Sequence, residues 1–183
     1  YNLLYRWFVG LSPDDPVWDP TSFTKNRERL QSGDVFTKFM TRLLNHPQVM
    51  PLLSDEHFSV DGTLIEAWAS QKSFRPKDGS DDGDGANFHG QKRKNDTHAS
   101  TSDRDSRLFR KAAGREAKLA YMGHATMENR HGLAVAGMVT LASGTAERRA
   151  SERMLKTRAK EAGHRITAGE DKAYDTADHV VNL

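Results

Sequence analysis

The sequence predicts a mixed α/β fold, in which a mixed sheet with flanking helices follows a small helical subdomain. Three observations predict it: apolar residues at helical spacing in the first part of the chain, two apolar runs around a polar turn at residues 129–132, and a long helical pattern between two strand-like segments. A hairpin followed by a strand–helix–strand crossover requires a sheet with both antiparallel and parallel neighbours.

Residues 1–55 are expected to form the helical subdomain, truncated at its start because helical spacing is already present from Leu3. Asp19 and Pro20 supply a cap and a first-turn proline for one helix. Asp34 is expected to cap a second helix, which ends before Pro47. The apolar positions of this second helix form one stripe: Phe36, Phe39, Met40, Leu43 and Leu44. We interpret the subdomain as a packing unit.

Residues 56–183 are expected to form the sheet domain, beginning with a strand from Phe58 through Ile65 that is rich in β-branched and aromatic residues. Residues 71–115 lack periodicity and are dense in charged residues, Gly, Ser and Asn. This composition predicts a long, irregular polar insertion. An insertion of that length within a compact domain points to function or to disorder.

The remaining elements follow from the pattern after residue 117. The apolar runs 118–127 and 133–141 predict a hairpin. Small and apolar residues then recur at helical spacing from Ala146 to Ala162, and Gly163 is placed to end that helix. Residues 165–169 predict a short strand. The helix predicted after it has not ended when the sequence stops at Leu183. The sheet domain is therefore expected to be incomplete at its C-terminus.

Composition excludes several classes of protein and site. The chain contains no cysteine, so it has neither a disulfide framework nor a thiolate zinc site. No apolar run approaches the roughly 18–20 residues that cross a bilayer, and the N-terminus lacks the layout of a signal peptide. We expect a cytoplasmic protein with no membrane partner.

Positive charge is concentrated in one stretch although the net charge is only +2: residues 91–118 hold nine Lys or Arg and four Asp or Glu. A basic stretch of this kind suits a polyanion such as DNA, and it equally suits a solvated surface loop. If DNA is the partner, the candidate contacts are Lys92, Arg93, Lys94, Arg107, Arg110 and Lys111.

Two aspartates are candidate metal ligands because of where they fall in the predicted sheet. Asp61 lies on the first strand, and Asp171 follows the strand predicted at 165–169. Two carboxylates brought together at strand ends can hold a hard divalent cation such as Mg²⁺. The alternative is local: Asp61 forms a turn with Gly62, and Asp171 caps a helix.

A series of sequence strings resembles the bacterial insertion-sequence transposases that have a ribonuclease H-like catalytic core. The strings in the sheet domain are 58–63, 95–103, 121–124, 127–130 and 169–175, and those in the helical subdomain are 7–13 and 21–30. Because they occur in order along essentially the whole chain, together they are more specific than any single Asp-Gly-Thr.

This resemblance implies a DDE-type transposase core with a ribonuclease H-like mixed sheet. Asp61 and Asp171 match the first two catalytic acids, which in the complete enzyme bind two Mg²⁺ or Mn²⁺ ions. The implied reactions are strand cleavage at the ends of the element and strand joining to target DNA. The implied partners are the terminal inverted repeats and target DNA, with a homo-oligomer assembled on the DNA.

The third acid implied by the resemblance is absent. It is a glutamate within the pattern Tyr, two residues, Arg, three residues, Glu, six residues, Lys, but three positions after each tyrosine stands Leu4, Phe8, His124 or Ala177. We therefore expect a fragment that does not cut DNA alone. The alternatives are a catalytically inactive DNA-binding or interaction remnant of a transposase, and a nuclease related only by fold.

Overall fold

The computed structural model describes residues 2–80 and 93–183, and the chain divides into two compact units, Tyr1–Met50 and Pro51–Leu183. The first unit contains three helices, α1 (Leu3–Phe8), α2 (Pro20–Ser32) and α3 (Val35–Leu44). Asp19 caps α2 as predicted, since its carboxylate accepts the Thr21 N–H at 2.8 Å. No helix in the described ranges is both long and apolar enough to cross a membrane.

The cap predicted for α3 does not form, whereas its apolar stripe is present. Asp34 precedes the helix but makes no side-chain capping bond, because its backbone is left-handed, with φ of 52°. The residues of the stripe lie on α3 as predicted, and most of them are solvent-exposed: Phe36, Phe39, Met40 and Leu43 are exposed, and Leu44 is half-buried. The neighbouring helix α2 is predominantly polar, so it offers little apolar surface to cover the stripe.

The second unit is built on a mixed sheet, which confirms the α/β class. Its strands are β1 (His57–Glu66), β4 (Arg107–Phe109), β5 (Lys118–Glu128), β6 (Ala134–Leu141) and β7 (Thr167–Gly169). β1 lies between β5 and β7, antiparallel to the first and parallel to the second. β4 and β6 pair with the other edge of β5. The hairpin prediction is confirmed by the β5–β6 pair.

The crossover helix α4 (Ala146–Ala162) connects β6 to β7, as predicted, and Gly163 ends it in the left-handed conformation. Alternate residues of β1, including Phe58 and Val60, face this helix because successive side chains of a strand point to opposite faces. They form the main core with Met154 and Leu155 of α4 and with Val135 of β6.

The prediction of an irregular insertion at 71–115 is wrong for part of its length. Its described residues include β2 (Phe74–Pro76), β3 (His98–Ser100) and β4, of which β2 and β3 pair with each other. Each strand has only three residues, too few for periodicity to show in the sequence. Residues 81–92 lie outside the described part of the chain. Beyond β7, the predicted last helix is divided into a 3-10 turn (Lys172–Tyr174) and α5 (Ala177–Asn182).

Candidate metal centre at the open edge of the sheet

Asp61 lies in the middle of β1, so the predicted turn with Gly62 does not form. Its side chain is exposed and belongs to the face of β1 opposite the buried Phe58 and Val60. One carboxylate oxygen of Asp61 accepts the Gly62 N–H at 2.7 Å. The other oxygen is not used by this bond.

Asp171 follows β7 and begins the 3-10 turn. Its Oδ1 accepts the Lys172 N–H at 2.6 Å, so the predicted capping role is present. The side chain is also exposed. It lines an open cleft of about 330 Å³ together with Glu170, Lys172, Tyr174, Asp175 and His179.

The parallel pairing of β1 and β7 ends two residues before each of the two aspartates. The last paired residues are Ser59 and Gly169, and each aspartate follows its paired residue by two positions. Because β7 ends at Gly169, the edge of β1 beyond Ser59 is not paired with β7. The two carboxylates therefore come from adjacent strands at one open edge of the sheet.

Glu147 also reaches this edge, and sequence reasoning did not identify it. It stands in the first turn of α4, and its carboxylate lies over Gly62: a Cβ at Gly62 would be 2.8 Å from Glu147 Oε1 and 3.0 Å from Cγ. Glycine at position 62 provides the space that this carboxylate occupies.

Tyr174 is the buried neighbour of these acids, with 3% of its surface exposed. Burial raises the pKa of its phenol, and the negative charges of Glu147, Asp61, Glu170 and Asp171 raise it further. The hydroxyl oxygen has no hydrogen-bond partner among the described residues. A phenol thus lies within electrostatic reach of four carboxylates without bonding to any.

A buried network supports the segment that carries Asp171 and Tyr174. His179, 3% exposed, lies between Glu170 (2.7 Å) and Glu152 of α4 (3.2 Å). The Ser151 hydroxyl donates to Glu170 as well. Burial alone would lower the pKa of His179, but its hydrogen bonds to the two carboxylates outweigh burial and raise it. The network ties α5 and the end of β7 to α4.

The donor set suits a hard cation, because Mg²⁺ is commonly held by one or two carboxylates together with water. Within residues 2–80 and 93–183, no group of three or more His, Cys, Asp or Glu side chains is close enough to hold a metal ion. Asp61 and Asp171 are two exposed carboxylates, the type of oxygen donor that such a cation takes.

Of the predicted DNA contacts that the structure describes, Arg107 lies on the sheet. Arg107 is on β4, which pairs with the edge of β5 away from β1, and its guanidinium donates to the carbonyls of Arg104, Asp105 and Ser106. Arg93, Lys94, Arg110 and Lys111 are exposed. Lys92 lies outside the described residues.

A comparison with known protein families matches the first part of the chain. Residues 1–29 match a family model described as Transposase domain (DUF772). No curated protein and no solved structure matches the chain. The matched residues lie in the helical unit, outside the candidate metal centre, and they support a transposase-related function for the chain.

Proposed function

We propose that the sheet domain is part of the catalytic core of a DDE-type transposase, in which Asp61 and Asp171 together bind divalent metal ions. The observation that carries the proposal is the shared position of the two aspartates beyond the paired ends of β1 and β7. Their correspondence to the first two acids of the family comes from the sequence resemblance, and the transposase-domain match at residues 1–29 supports a transposase-related function for the chain as a whole.

The sheet supports a ribonuclease H-like core. Its first strand lies between an antiparallel hairpin strand and a parallel strand that is reached through a crossover helix. This is the arrangement that the resemblance requires, because it carries the two acids from distant sequence positions to neighbouring strands. In this proposal, the parallel pairing of β1 and β7 is what brings the two acids, 110 positions apart in sequence, to one side of the sheet domain.

When bound, Mg²⁺ or Mn²⁺ would activate the attacking oxygen and stabilise the leaving oxygen of a phosphodiester during strand cleavage and strand joining. The role of Asp61 and Asp171 is to fix the cations with carboxylate oxygens at the open edge of β1. Neither carboxylate is buried, so a DNA backbone can approach both.

DNA is the proposed partner, as terminal inverted repeats and as target, with a homo-oligomer assembled on it. The exposed Lys94, Arg110 and Lys111 are placed to neutralise phosphates, with Arg93 and Lys92 adjacent in sequence. Binding through such contacts would weaken steeply as the salt concentration rises. The exposed side chain of Lys94 makes it a better first target for substitution than Arg107, whose guanidinium is bonded to its own loop.

The site is tested by titrating Mn²⁺ into the purified chain in a calorimeter. We expect saturable heat that is lost in Asp61→Asn and in Asp171→Asn, since each variant removes an anionic ligand. Asp105→Asn is the matched control, because it removes the same charge from the insertion and should bind like the wild type. If the wild type binds no Mn²⁺, or if Asp61→Asn and Asp171→Asn both bind it as the wild type does, the inactive remnant is favoured instead.

Cleavage is a separate measurement. The pattern that supplies the third acid is absent from the 183 residues, so we expect no nicking of a terminal-repeat duplex by this chain with Mg²⁺. Nicking that Asp61→Asn abolishes would contradict this expectation and show that two acids suffice. Cleavage without strand joining would instead support the nuclease alternative.

A further inference from the structure

β6 is an edge strand with one unpaired side. Among the described residues it pairs only with β5, so the backbone N–H and C=O groups on its other side have no strand partner. A bulge at Val135 interrupts its pairing with β5, and the register is regular from Ala136 to Leu141. The other edge strands that the structure describes, β4 and β7, are only three residues long. β6 therefore gives the sheet a long open edge.

This edge lacks the charges that normally keep edge strands from pairing. Natural edge strands are blunted by lysines or other charged residues, by prolines, or by being short. Residues 133–146 contain no Asp, Glu, Lys, Arg, His or Pro. The strands inside the sheet do carry charges, Asp61 and Glu66 on β1 and Lys118 and Glu128 on β5. This reversal of the usual distribution is expected if β6 becomes an interior strand of a larger sheet.

The side chains of β6 also suit a neighbouring strand. Successive side chains of a strand point to opposite faces. Ala136 and Met138 pack against the core, whereas Val139 and Leu141 lie on the opposite face with 62% and 45% of their surface exposed. Apolar side chains directly opposite each other on paired strands stabilise the pair. A second apolar strand beside β6 would thus cover side chains that β5 leaves exposed.

We propose that β6 pairs antiparallel with β6 of a second copy of this chain, joining the two sheets edge to edge across a two-fold axis. The inference deepens the proposed function, because it gives the homo-oligomer proposed there a specific interface, and it does not use the metal centre. A two-fold interface brings the same surface of both copies together. Like charges facing each other across paired strands are destabilising. The absence of charge from residues 133–146 therefore favours an identical strand over a partner recognised by its charge.

The expected dimer is a reversible one. Pairing along Ala136–Leu141 is a small interface beside the roughly 1,200–2,000 Å² that stable complexes bury. Sedimentation velocity from micromolar to millimolar protein should therefore show a dimer whose fraction rises with concentration. A chain that stays monomeric over this range would overturn the inference.

Val139→Lys tests whether β6 is the interface. It places a charge where the two copies meet, so this variant should stay monomeric at concentrations where the wild type dimerises. Val181→Lys is the matched control, because it adds the same charge at another exposed valine, on α5, and should dimerise like the wild type. Equal loss of dimer in both variants, or no loss in either, would overturn the inference.

Hydrogen exchange gives a second test that does not depend on the folding of Val139→Lys. In an antiparallel pair every second N–H of a strand bonds to its neighbour and the others point away. The N–H groups of β6 that point away from β5 should exchange more slowly as the concentration of the wild type rises. Slow exchange of these groups at every concentration would show that a strand of the same chain covers the edge. Fast exchange at every concentration would show that nothing does, and either result would overturn the inference.

The absence of cysteine from the chain makes cross-linking specific. Across a two-fold axis between antiparallel strands, one residue meets its own copy, and residues on either side of it meet each other. Gly137→Cys, Val139→Cys and Leu141→Cys lie on one face of β6. They should form disulfide-linked dimers, singly or when mixed in pairs, because directly paired residues are close enough for a disulfide. Val181→Cys should not, and equal linking by Val181→Cys would contradict a specific strand pair.

The two proposals fail separately. A monomeric chain that binds Mn²⁺ through Asp61 would remove only the β6 interface. A dimer that binds no Mn²⁺ would remove the metal centre and leave the β6 interface in place.

Discussion

Glu147 occupies the space that a side chain at Gly62 would need: a Cβ at position 62 would lie 2.8 Å from its Oε1 and 3.2 Å from its Cδ. The contact joins the first turn of α4 to the strand that carries Asp61. An added methyl group would have to displace the carboxylate, which is the flexible end of a long side chain.

This contact predicts that the effect of Gly62→Ala on stability changes sign when the Glu147 side chain is removed. Gly62→Ala should destabilise the wild type, because it pushes Glu147 away from β1. In the background of Glu147→Ala the same substitution should stabilise the protein by about 0.5–1 kcal/mol, since alanine loses less backbone freedom than glycine in a strand. Urea unfolding of the four proteins gives the coupling directly. Equal effects in both backgrounds would mean that Glu147 does not rest on Gly62.

Glu128 is the fully buried carboxylate that organises the β5–β6 turn. It accepts backbone N–H groups from Arg130 (2.9 Å), His131 (2.8 Å) and Leu133 (3.0 Å), and a longer bond from Ser54. Burial alone would raise the pKa of Glu128, but these bonds outweigh it and the pKa is lowered. Glu128→Gln replaces one acceptor oxygen by a donor and should cost roughly 2–3 kcal/mol at pH 7.

The sign of the pH dependence follows from the lowered pKa. The contribution of Glu128 is present above the ordinary glutamate pKa and is lost as the pH falls through the lower, folded value. Between pH 7 and pH 3, the free energy of unfolding measured with urea should therefore fall more steeply for the wild type than for Glu128→Gln. Glu66→Gln, at an exposed ion pair with Lys118, is the control and should have little effect. Parallel curves for wild type and Glu128→Gln would refute the assignment.

The stabilising contribution of His179 should decrease as the pH rises, whereas that of Glu128 decreases as the pH falls. Its pKa is raised above the ordinary value, so its contribution is complete below about pH 6.5 and is lost as the pH rises through the folded pKa. His179→Gln should cost about 2 kcal/mol at pH 6 and less at pH 9, measured by urea unfolding. His164→Gln is the control, because the bond of His164 to Asp55 is exposed. A cost for His179→Gln that does not change between the two pH values would contradict a charged histidine.

The larger elements could be predicted from sequence because each has a strong local signal. Asp19 and Pro20 mark the start of α2, and Gly163 ends α4. The short strands β2, β3 and β4 could not be predicted, since three residues show no period and their pairing depends on distant partners. The apolar stripe of α3 was predictable from helical spacing, but its exposure was not, because exposure depends on which other elements pack against the helix.

The candidate site was predictable only in its two aspartates. Asp61 lies on a predicted strand and Asp171 shortly follows one, and each belongs to a string that resembles a family, so both were recognisable from the sequence. Glu147 had no such signal, because an acid in the first turn of a helix is ordinary. Only the register of β1 and the packing of α4 bring it to Gly62. The burial of the Tyr174 hydroxyl is likewise a property of the tertiary structure.

The most direct test of the central claim is to ask whether one bound ion touches both aspartates. Fe²⁺ can replace Mg²⁺ at such a site, and with ascorbate and peroxide it cuts the polypeptide within a few ångströms of where it is bound. The account predicts cuts beside both Asp61 and Asp171, suppressed by excess Mg²⁺ and absent in Asp61→Asn. Cuts beside only one of the two residues, or cuts that persist in Asp61→Asn, would contradict a shared metal centre.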